Sequence, residues 1–507
     1  MDWVTEKTQA AIALLESIKG IKQMGNYRLS KSKYLSAFQC EKKLWLEFHD
    51  RDKATPISEV QQAIFSQGHF VGELAQDEYP GGTLIDSDYL DIPKGLEITQ
   101  DIFAKEPLAI FEAFFQFNDV LVRPDIMVNN GDGTWDFIEV KSSTTLKPEN
   151  IRDVAIQSYV ISGSGVNIRK SYLMHLNREC TYPHLENLFA KVDLTERIIP
   201  FINNMETSLE NLRDMLSENQ APDISIGGRC SKPYNCHFRE HCWKDVPEYS
   251  VFNIPGMYLK QKEELYNKGI VNLEDIPTDS GFQNKQKDFI DSYNSKAPII
   301  NKPGIQTELD TLQYPLYFLD FETYGSAVPT FNGMHPYEQY PFQYSCHILN
   351  KDQNITHKEF LHTNKTDPRL PLAKSLIDTL QDTGTIVAYN AGFEKGVINK
   401  LALVFPQFSN ELEAINKRFW DQLNIFRRHY SDYRFKGSNG LKSVLPIVVP
   451  GMGYFNLDVQ EGSQAQVVWK QMIDLPNGDQ KNILIQQLLK YCRLDTLAMV
   501  EIQNILT

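Results

Sequence analysis

Residues 120–141 constrain the fold of this chain more than any other stretch. Val120–Met127 is apolar and reads as a strand, and Asn129-Asn130-Gly131-Asp132-Gly133 is a strong hairpin signal. A second strand follows over Trp135–Val140, with Glu139 and Lys141 two positions apart. Side chains two apart on a strand point the same way, so Glu139 and Lys141 share a face. Asp125 lies on the partner strand. An antiparallel hairpin can therefore bring two carboxylates and one ammonium to a single spot. Such a pair of carboxylates suits Mg²⁺ or Mn²⁺, hard cations that take oxygen ligands and keep water. A lysine beside them can orient or deprotonate an attacking water, or stabilise charge on phosphate.

The residues Arg123-Pro124-Asp125 and Glu139-Val140-Lys141 resemble the signature of the PD-(D/E)XK nuclease superfamily. Gln157-Ser158-Tyr159, on a helical stretch over Ile151–Ile161, is similar to the Gln-x-x-Tyr element of its RecB-like branch, although the spacing here is Gln-x-Tyr. The resemblance implies roles for Asp125, Glu139, Lys141, Gln157 and Tyr159 in phosphodiester hydrolysis. Phe65–Ala75 resembles the first motif of that branch, where a histidine ligand is followed by an acid. Aligned on Gly68, the histidine position falls on Gly72, so Glu73 is the expected metal contact and His69 a second choice.

Seven cysteines in 507 residues do not read as a disulfide framework. Four of them, however, flank the hairpin region: Cys40 before it, and Cys230, Cys236 and Cys242 after it. Four thiolates can bind a 4Fe–4S cluster or Zn²⁺. One cysteine before and three after the nuclease core resembles the iron–sulfur clamp of RecB-like nucleases. The spacing between Cys230 and Cys236 is wider than in that family, which leaves zinc open, with His237 and His241 as further ligands in that case. Either ion would act structurally, by closing a long loop.

A second set of acids lies far downstream. Leu316–Thr323 is an apolar strand with Asp320 and Glu322 on one face. Ile386–Asn390 is a strand and turn leading into a helix that opens with Glu394. Tyr491 and Asp495 are four apart on a helical stretch and share its face. In this order the three blocks resemble the DEDD exonucleases of the DnaQ-like, RNase H-like fold. That likeness implies Asp320, Glu322, Glu394 and Asp495 as metal ligands and Tyr491 as a residue that positions water. Glu394 stands where the family usually has Asp, and Asp421 is a secondary acid. Arg427, Arg428, Arg434, Lys436 and Lys442 form a basic cluster suited to a phosphate track. The rings over Tyr337–Tyr344 are suited either to base stacking or to a sheet core.

The resulting expectation is an α/β chain of two catalytic-type domains. Residues 1–248 form a restriction-endonuclease-like, PD-(D/E)XK domain with a cysteine clamp. Residues 249–312 form a small helical linker whose Leu265–Ile270 turn resembles half of a helix-hairpin-helix. Residues 313–507 form an RNase H-like, DEDD-type 3′–5′ exonuclease domain. An amphipathic helix is expected over Thr8–Ile21, helices over 184–217, and a domain junction without clear periodicity over 292–312. The implied partner is nucleic acid, DNA rather than RNA, in repair or defence against foreign DNA. A net charge of −14 does not suggest a protein that coats nucleic acid, so DNA would need local basic patches. The start of the chain lacks a basic, then apolar, secretory pattern, and no apolar run could span a bilayer, so a cytoplasmic home is expected.

Overall fold

The structure is a computed structural model that describes residues 27–88, 91–276 and 281–507, so the helix expected over Thr8–Ile21 lies outside the described residues. It is a mixed α/β protein with several mixed sheets. Its contacts divide it into two compact units that interleave in sequence. One holds residues 27–56, 66–177 and 187–244, and the other holds 57–65, 178–186 and 245–507. The stretch 249–312 falls within the second unit, where Val251, Ile254, Leu273, Ile276, Phe289 and Tyr293 form a small core. Among the described residues, no helix is long and apolar enough to cross a membrane.

The first unit is built on a six-stranded sheet. Its order is Thr83–Leu84, Ala109–Phe111, Ile126–Asn129, Trp135–Lys141, Ile168–Leu176 and Phe189–Asp193. Trp135–Lys141 is buried along nearly its whole length, as a strand covered on both faces must be. It pairs antiparallel with Ile126–Asn129 across the Asn-Gly turn, and parallel with Ile168–Leu176. Parallel pairing needs a crossover, and the helix Pro148–Gly163 supplies it. Val154, Ala155, Ile156, Val160 and Ile161 pack from that helix into the core. The expected Val120–Met127 strand is broken at Arg123–Asp125, and Val120–Val122 joins a separate three-stranded sheet. Pro124 offers no N–H to a ladder, and the Asp125 carboxylate instead accepts the Val140 N–H at 2.5 Å. The expected helices over 184–217 begin only at Thr195, because Phe189–Asp193 is taken as an edge strand by Ile168–Leu176.

The second unit holds a five-stranded sheet ordered Ile355–Leu361, Tyr340–Leu349, Leu316–Tyr324, Thr385–Ala388 and Phe419–Asp421. The first three strands are antiparallel, and the last two run parallel to Leu316–Tyr324. The helices Arg369–Leu380, Gly392–Val404 and Ser409–Asn416 cover one face, around Leu319, Phe321 and Tyr344. The C-terminal helix Asp479–Leu506 packs on the other and is bonded to the sheet by its own groups. Gln343 Nε2 donates to Leu488 O at 2.9 Å, and Thr496 Oγ1 lies 2.7 Å from Ser345 Oγ. The region 292–312, expected as the domain junction, contains regular elements. Asn301 caps a helix Lys302–Leu309, accepting from Gly304 N at 3.1 Å, with Pro303 in its first turn.

Candidate functional site

In the first unit the central strand carries Glu139 into the interior, where it is 1% exposed. Lys141 Nζ donates to Glu139 Oε1 at 2.5 Å, and Gln157 Nε2 donates to Oε2 at 2.7 Å. Two residues complete the cluster that sequence reasoning missed. Lys31 Nζ donates to Glu139 Oε1 at 2.6 Å, and Asp153 accepts from Lys141 at 2.6 Å and from Gln157 at 2.9 Å. Asp153 had a signal, since it precedes Gln157 by one helical turn and so shares its face. Burial opposes ionisation of Glu139, but Lys141 and Lys31 outweigh it and hold the carboxyl well below the usual range. Asp125 goes the other way: burial, then the Glu139 charge, raise it well above the ordinary value. Burial also works against charging Lys141, yet Asp153 and Glu139 overcome it and hold the ammonium protonated.

The structure leaves some expected residues outside this cluster. Glu73 is exposed on its helix, and His69 is exposed as well. The acid that does bear on Asp125 is Glu112, which follows the strand Ala109–Phe111 at a positive φ of 56°. Its backbone N–H donates to Asp125 O at 3.1 Å, and its carboxylate pairs with Arg123 at 3.3 Å. Burial raises the Glu112 carboxyl, with Glu139 adding to the rise and Arg123, Lys31 and His69 opposing it. An acid inside the apolar run Ala109–Phe115 was its sequence signal. Tyr159 also lies apart: its hydroxyl accepts from Asn118 at 3.1 Å and its ring packs edge-on against Phe117. Two residues along a helix amount to roughly 200° of rotation, so Gln157 and Tyr159 cannot share a face.

The four expected cysteines gather. Cys40 sits at a corner between the helices Lys31–Gln39 and Glu41–His49, in extended backbone. Gln39 ties that corner to the distal loop, donating to Arg229 O at 2.8 Å and Tyr234 O at 2.6 Å. Burial raises the thiols of Cys236 and Cys242, and both feel Cys230 and Cys40. All four are free thiols. No three of them fall within 4.8 Å of one another, whereas thiolates about 2.3 Å from one tetrahedral zinc would sit roughly 3.8 Å apart. His237 instead approaches Glu47 at 3.4 Å. Four thiols brought near one another are a donor set that either an iron–sulfur cluster or a zinc ion could use.

In the second unit Asp320 and Glu322 come from the central strand, and Tyr491, Cys492 and Asp495 from the long C-terminal helix facing it. Asp320, Glu322, Tyr491 and Asp495 line a cavity of about 930 Å³, together with Lys442, Arg427 and Lys285. Asp495 accepts a very short hydrogen bond from Tyr454, and Lys442 donates to the Tyr491 hydroxyl at 3.3 Å. Glu394, in the first turn of Gly392–Val404, is 3% exposed, and its Oε2 has no hydrogen-bond partner. Asp421 has a positioning role: one oxygen accepts from Asn390 N at 2.9 Å and Leu423 N at 3.1 Å, fixing the turn that leads to Glu394.

The charges in this cavity are unbalanced. Burial, then Asp495, Glu322 and Glu394, push Asp320 well above the ordinary carboxylate range. Burial and the Asp495 charge push Glu322 up to about 8, against the pull of Lys442. Burial takes Glu394 to about 8 and Asp495 to about 7, the latter opposed by Tyr454 and Lys442. Of the expected basic cluster only Arg427 and Lys442 line the cavity. Arg428 pairs with Glu308, Arg434 with Asp432 and Lys436 with Glu248. Tyr340, Phe342 and Tyr344 are sheet core and cannot stack on bases.

Residues 317–440, which include Asp320, Glu322, Glu394 and Asp421, match a family described as a domain of unknown function, DUF2779. The uncharacterised protein MG366 of Mycoplasma genitalium is 24% identical over 270 residues, 48% of this chain and 40% of that protein. Its homolog in Mycoplasma pneumoniae is 23% identical over 387 residues, 67% of this chain and 57% of that one. The chain thus spans less than two thirds of the length of either relative. Among solved structures, the crystal structure of SSO0001 is similar at 13% identity and a TM-score of 0.21, over 48% of this chain and 99% of that one. A likeness of that size carries no argument about fold.

Proposed function

We propose that this chain is a divalent-metal-dependent nuclease with two active sites, acting on the phosphodiester bonds of DNA ends or single strands. The observation that carries the reading is the Asp320 cavity. Four carboxylates from three separate elements bear on one another there, opposed mainly by Lys442. Buried like charges at such proximity call for protons or a cation. The unpartnered Glu394 oxygen is a further donor for the same purpose. Asp320, Glu322, Glu394 and Asp495 would hold Mg²⁺ or Mn²⁺, which when bound would polarise a phosphoryl oxygen and lower the pKa of water. Tyr491, held by Lys442, orients what enters the cavity, and Arg427 and Lys285 offer positive charge to a phosphate chain. The strand order, with the first acids on the central strand, supports an RNase H-like architecture.

In the first unit, Asp125 and Glu139 would be the ligands, with Glu112 as the further acid. Lys141 is a fixed cation beside two acids, so it orients water or stabilises phosphate charge and does not remove a proton. The parallel crossover behind the Glu139 strand supports a PD-(D/E)XK arrangement. The four cysteines would hold a structural cluster, 4Fe–4S in preference to zinc.

Glu394 in place of the usual Asp favours a second reading, in which the C-terminal unit only delivers nucleic acid to the first site. Paired alanines separate the two. Asp125→Ala with Glu139→Ala, and Asp320→Ala with Asp495→Ala, are each tested on matched DNA and RNA oligonucleotides with Mg²⁺ or Mn²⁺. Two active sites predict that each pair removes a distinct part of the cleavage. Unchanged cleavage with weaker binding in the second pair would favour delivery, preference for the RNA set would move the substrate, and no cleavage by the intact protein would end the proposal.

A further inference from the structure

We propose that the Asp320 cavity takes a borderline-soft divalent cation of the zinc class, with Cys492 as its third ligand beside Asp320 and Glu322. The proposal rests on the metal-binding reading of that cavity and deepens it by naming which ion the cavity prefers. Cys492 is fully buried on the long C-terminal helix, next to Tyr491. Its Sγ lies 3.7 Å from Asp320 Oδ2 and 3.8 Å from Asp320 O. Ligand atoms of Asp320, Glu322 and Cys492 all fall within 4.8 Å of one another, the one such trio of His, Cys, Asp or Glu among the described residues.

The 3.7 Å between Cys492 Sγ and Asp320 Oδ2 is the spacing a single ion requires. With sulfur about 2.3 Å and oxygen about 2.1 Å from zinc at a tetrahedral angle, the two ligands stand roughly 3.6 Å apart. A buried cysteine ordinarily serves as a small hydrophobe. Here its thiol donates to the Asp320 carboxylate, a hydrogen bond that a bound ion would replace. An independent observation points to the same place: Glu394 is buried, its Oε2 has no partner, and its charge bears on Asp320. It stands next to that trio without joining it, and water would complete the shell. Oxygen-only sites favour Mg²⁺, whereas one thiolate shifts preference toward zinc and its neighbours. The thiol gives its proton to solvent as the ion binds. Zinc at trace concentration then occupies the cavity ahead of magnesium.

The test uses the full chain with its cysteine clamp intact, and compares wild type with Cys492→Ser and Cys492→Ala. Zinc and manganese are titrated separately by calorimetry, and cobalt by absorbance, where a cobalt–thiolate band reports sulfur ligation. The clamp contributes equally to all three proteins and cancels in the difference. Both variants should lose about tenfold or more in zinc affinity, with manganese changed by no more than about threefold and part of the cobalt–thiolate band gone. Equal zinc affinity and an equal band in both folded variants would overturn the proposal. If Asp320→Ala binds manganese as wild type does, the cavity holds no ion, and the reading beneath the proposal fails with it.

Discussion

Replacing Glu322 by Gln should stabilise the second unit when divalent cations are withheld. In the unfolded chain this carboxyl titrates near 4.5, and in the folded cavity it is pushed up to about 8. The folded state therefore holds the proton more tightly than the unfolded state. For an acid shifted in this direction the contribution is a cost. It is absent below about pH 4.5, grows as pH rises toward 8, and is constant above. At pH 7 the cost of one such group is roughly 3 kcal/mol, at about 1.4 kcal/mol per tenfold in proton affinity. Asp320, Asp495 and Glu394 share the same field, so their costs do not add to this one. Gln keeps the shape and removes the charge. A gain of that size should raise the melting temperature of a unit this large by roughly 6–12 °C. The assay is melting of the full chain in Mg²⁺-free buffer from pH 5 to 9, following the transition that responds to added Mg²⁺. The advantage of Glu322→Gln should be small at pH 5, widen toward pH 8, and shrink or reverse when Mg²⁺ or Mn²⁺ is supplied. A variant that melts at or below wild type at pH 8 without metal would mean that the cavity neutralises its own acids, and the argument for a bound cation would be lost.

Lys31→Met should lower first-site cleavage by at least about tenfold, measured in a background with Asp320 and Asp495 replaced, because Lys141 is then the one cation pairing with Glu139 and Asp153. The same change should lower the stability of the first unit by about 1–3 kcal/mol, a discount from a fully buried pair since Lys31 is part-exposed. Cys40→Ser should abolish the broad visible absorbance expected of an anaerobically purified iron–sulfur protein. It should also free a loop of 190 positions, a loss of roughly 4–5 kcal/mol by chain entropy. A colourless wild-type protein carrying zinc would replace the cluster assignment.

What could be read from the sequence was what local pattern dictates. Strands Trp135–Lys141 and Leu316–Tyr324 are apolar runs interrupted by acids, and the turn at Asn130-Gly131 has few alternatives. Asp320 and Glu322 followed from strand period, and Tyr491 and Asp495 from helix period. Asp153 apart, the residues missed are single side chains whose meeting with a cluster depends on tertiary placement. Lys31 reaches Glu139 from a helix more than a hundred positions earlier, and no periodicity announces that. Glu112 depends on a backbone at positive φ, and Cys492 on the face that its helix turns toward Asp320. The first-motif alignment pointed to Glu73, which is exposed on the helix Glu59–Gln76, while His69 of that helix bears on the Glu112 charge. Tyr159 failed on angle alone: with one residue between it and Gln157, the helix turns them apart.

The interleaving of the two units has a consequence for how the chain is made. Tyr182 exchanges backbone hydrogen bonds with Gly333 and Met334, at 3.0 Å each, and Cys180 O accepts from or lies 3.0 Å from the His335 ring. Those partners emerge from the ribosome long after residues 178–186 do. The excursion must wait with open amides while the intervening sheet is synthesised, so the amino-terminal half cannot be cut out as a self-sufficient piece without orphaning a strip of its neighbour.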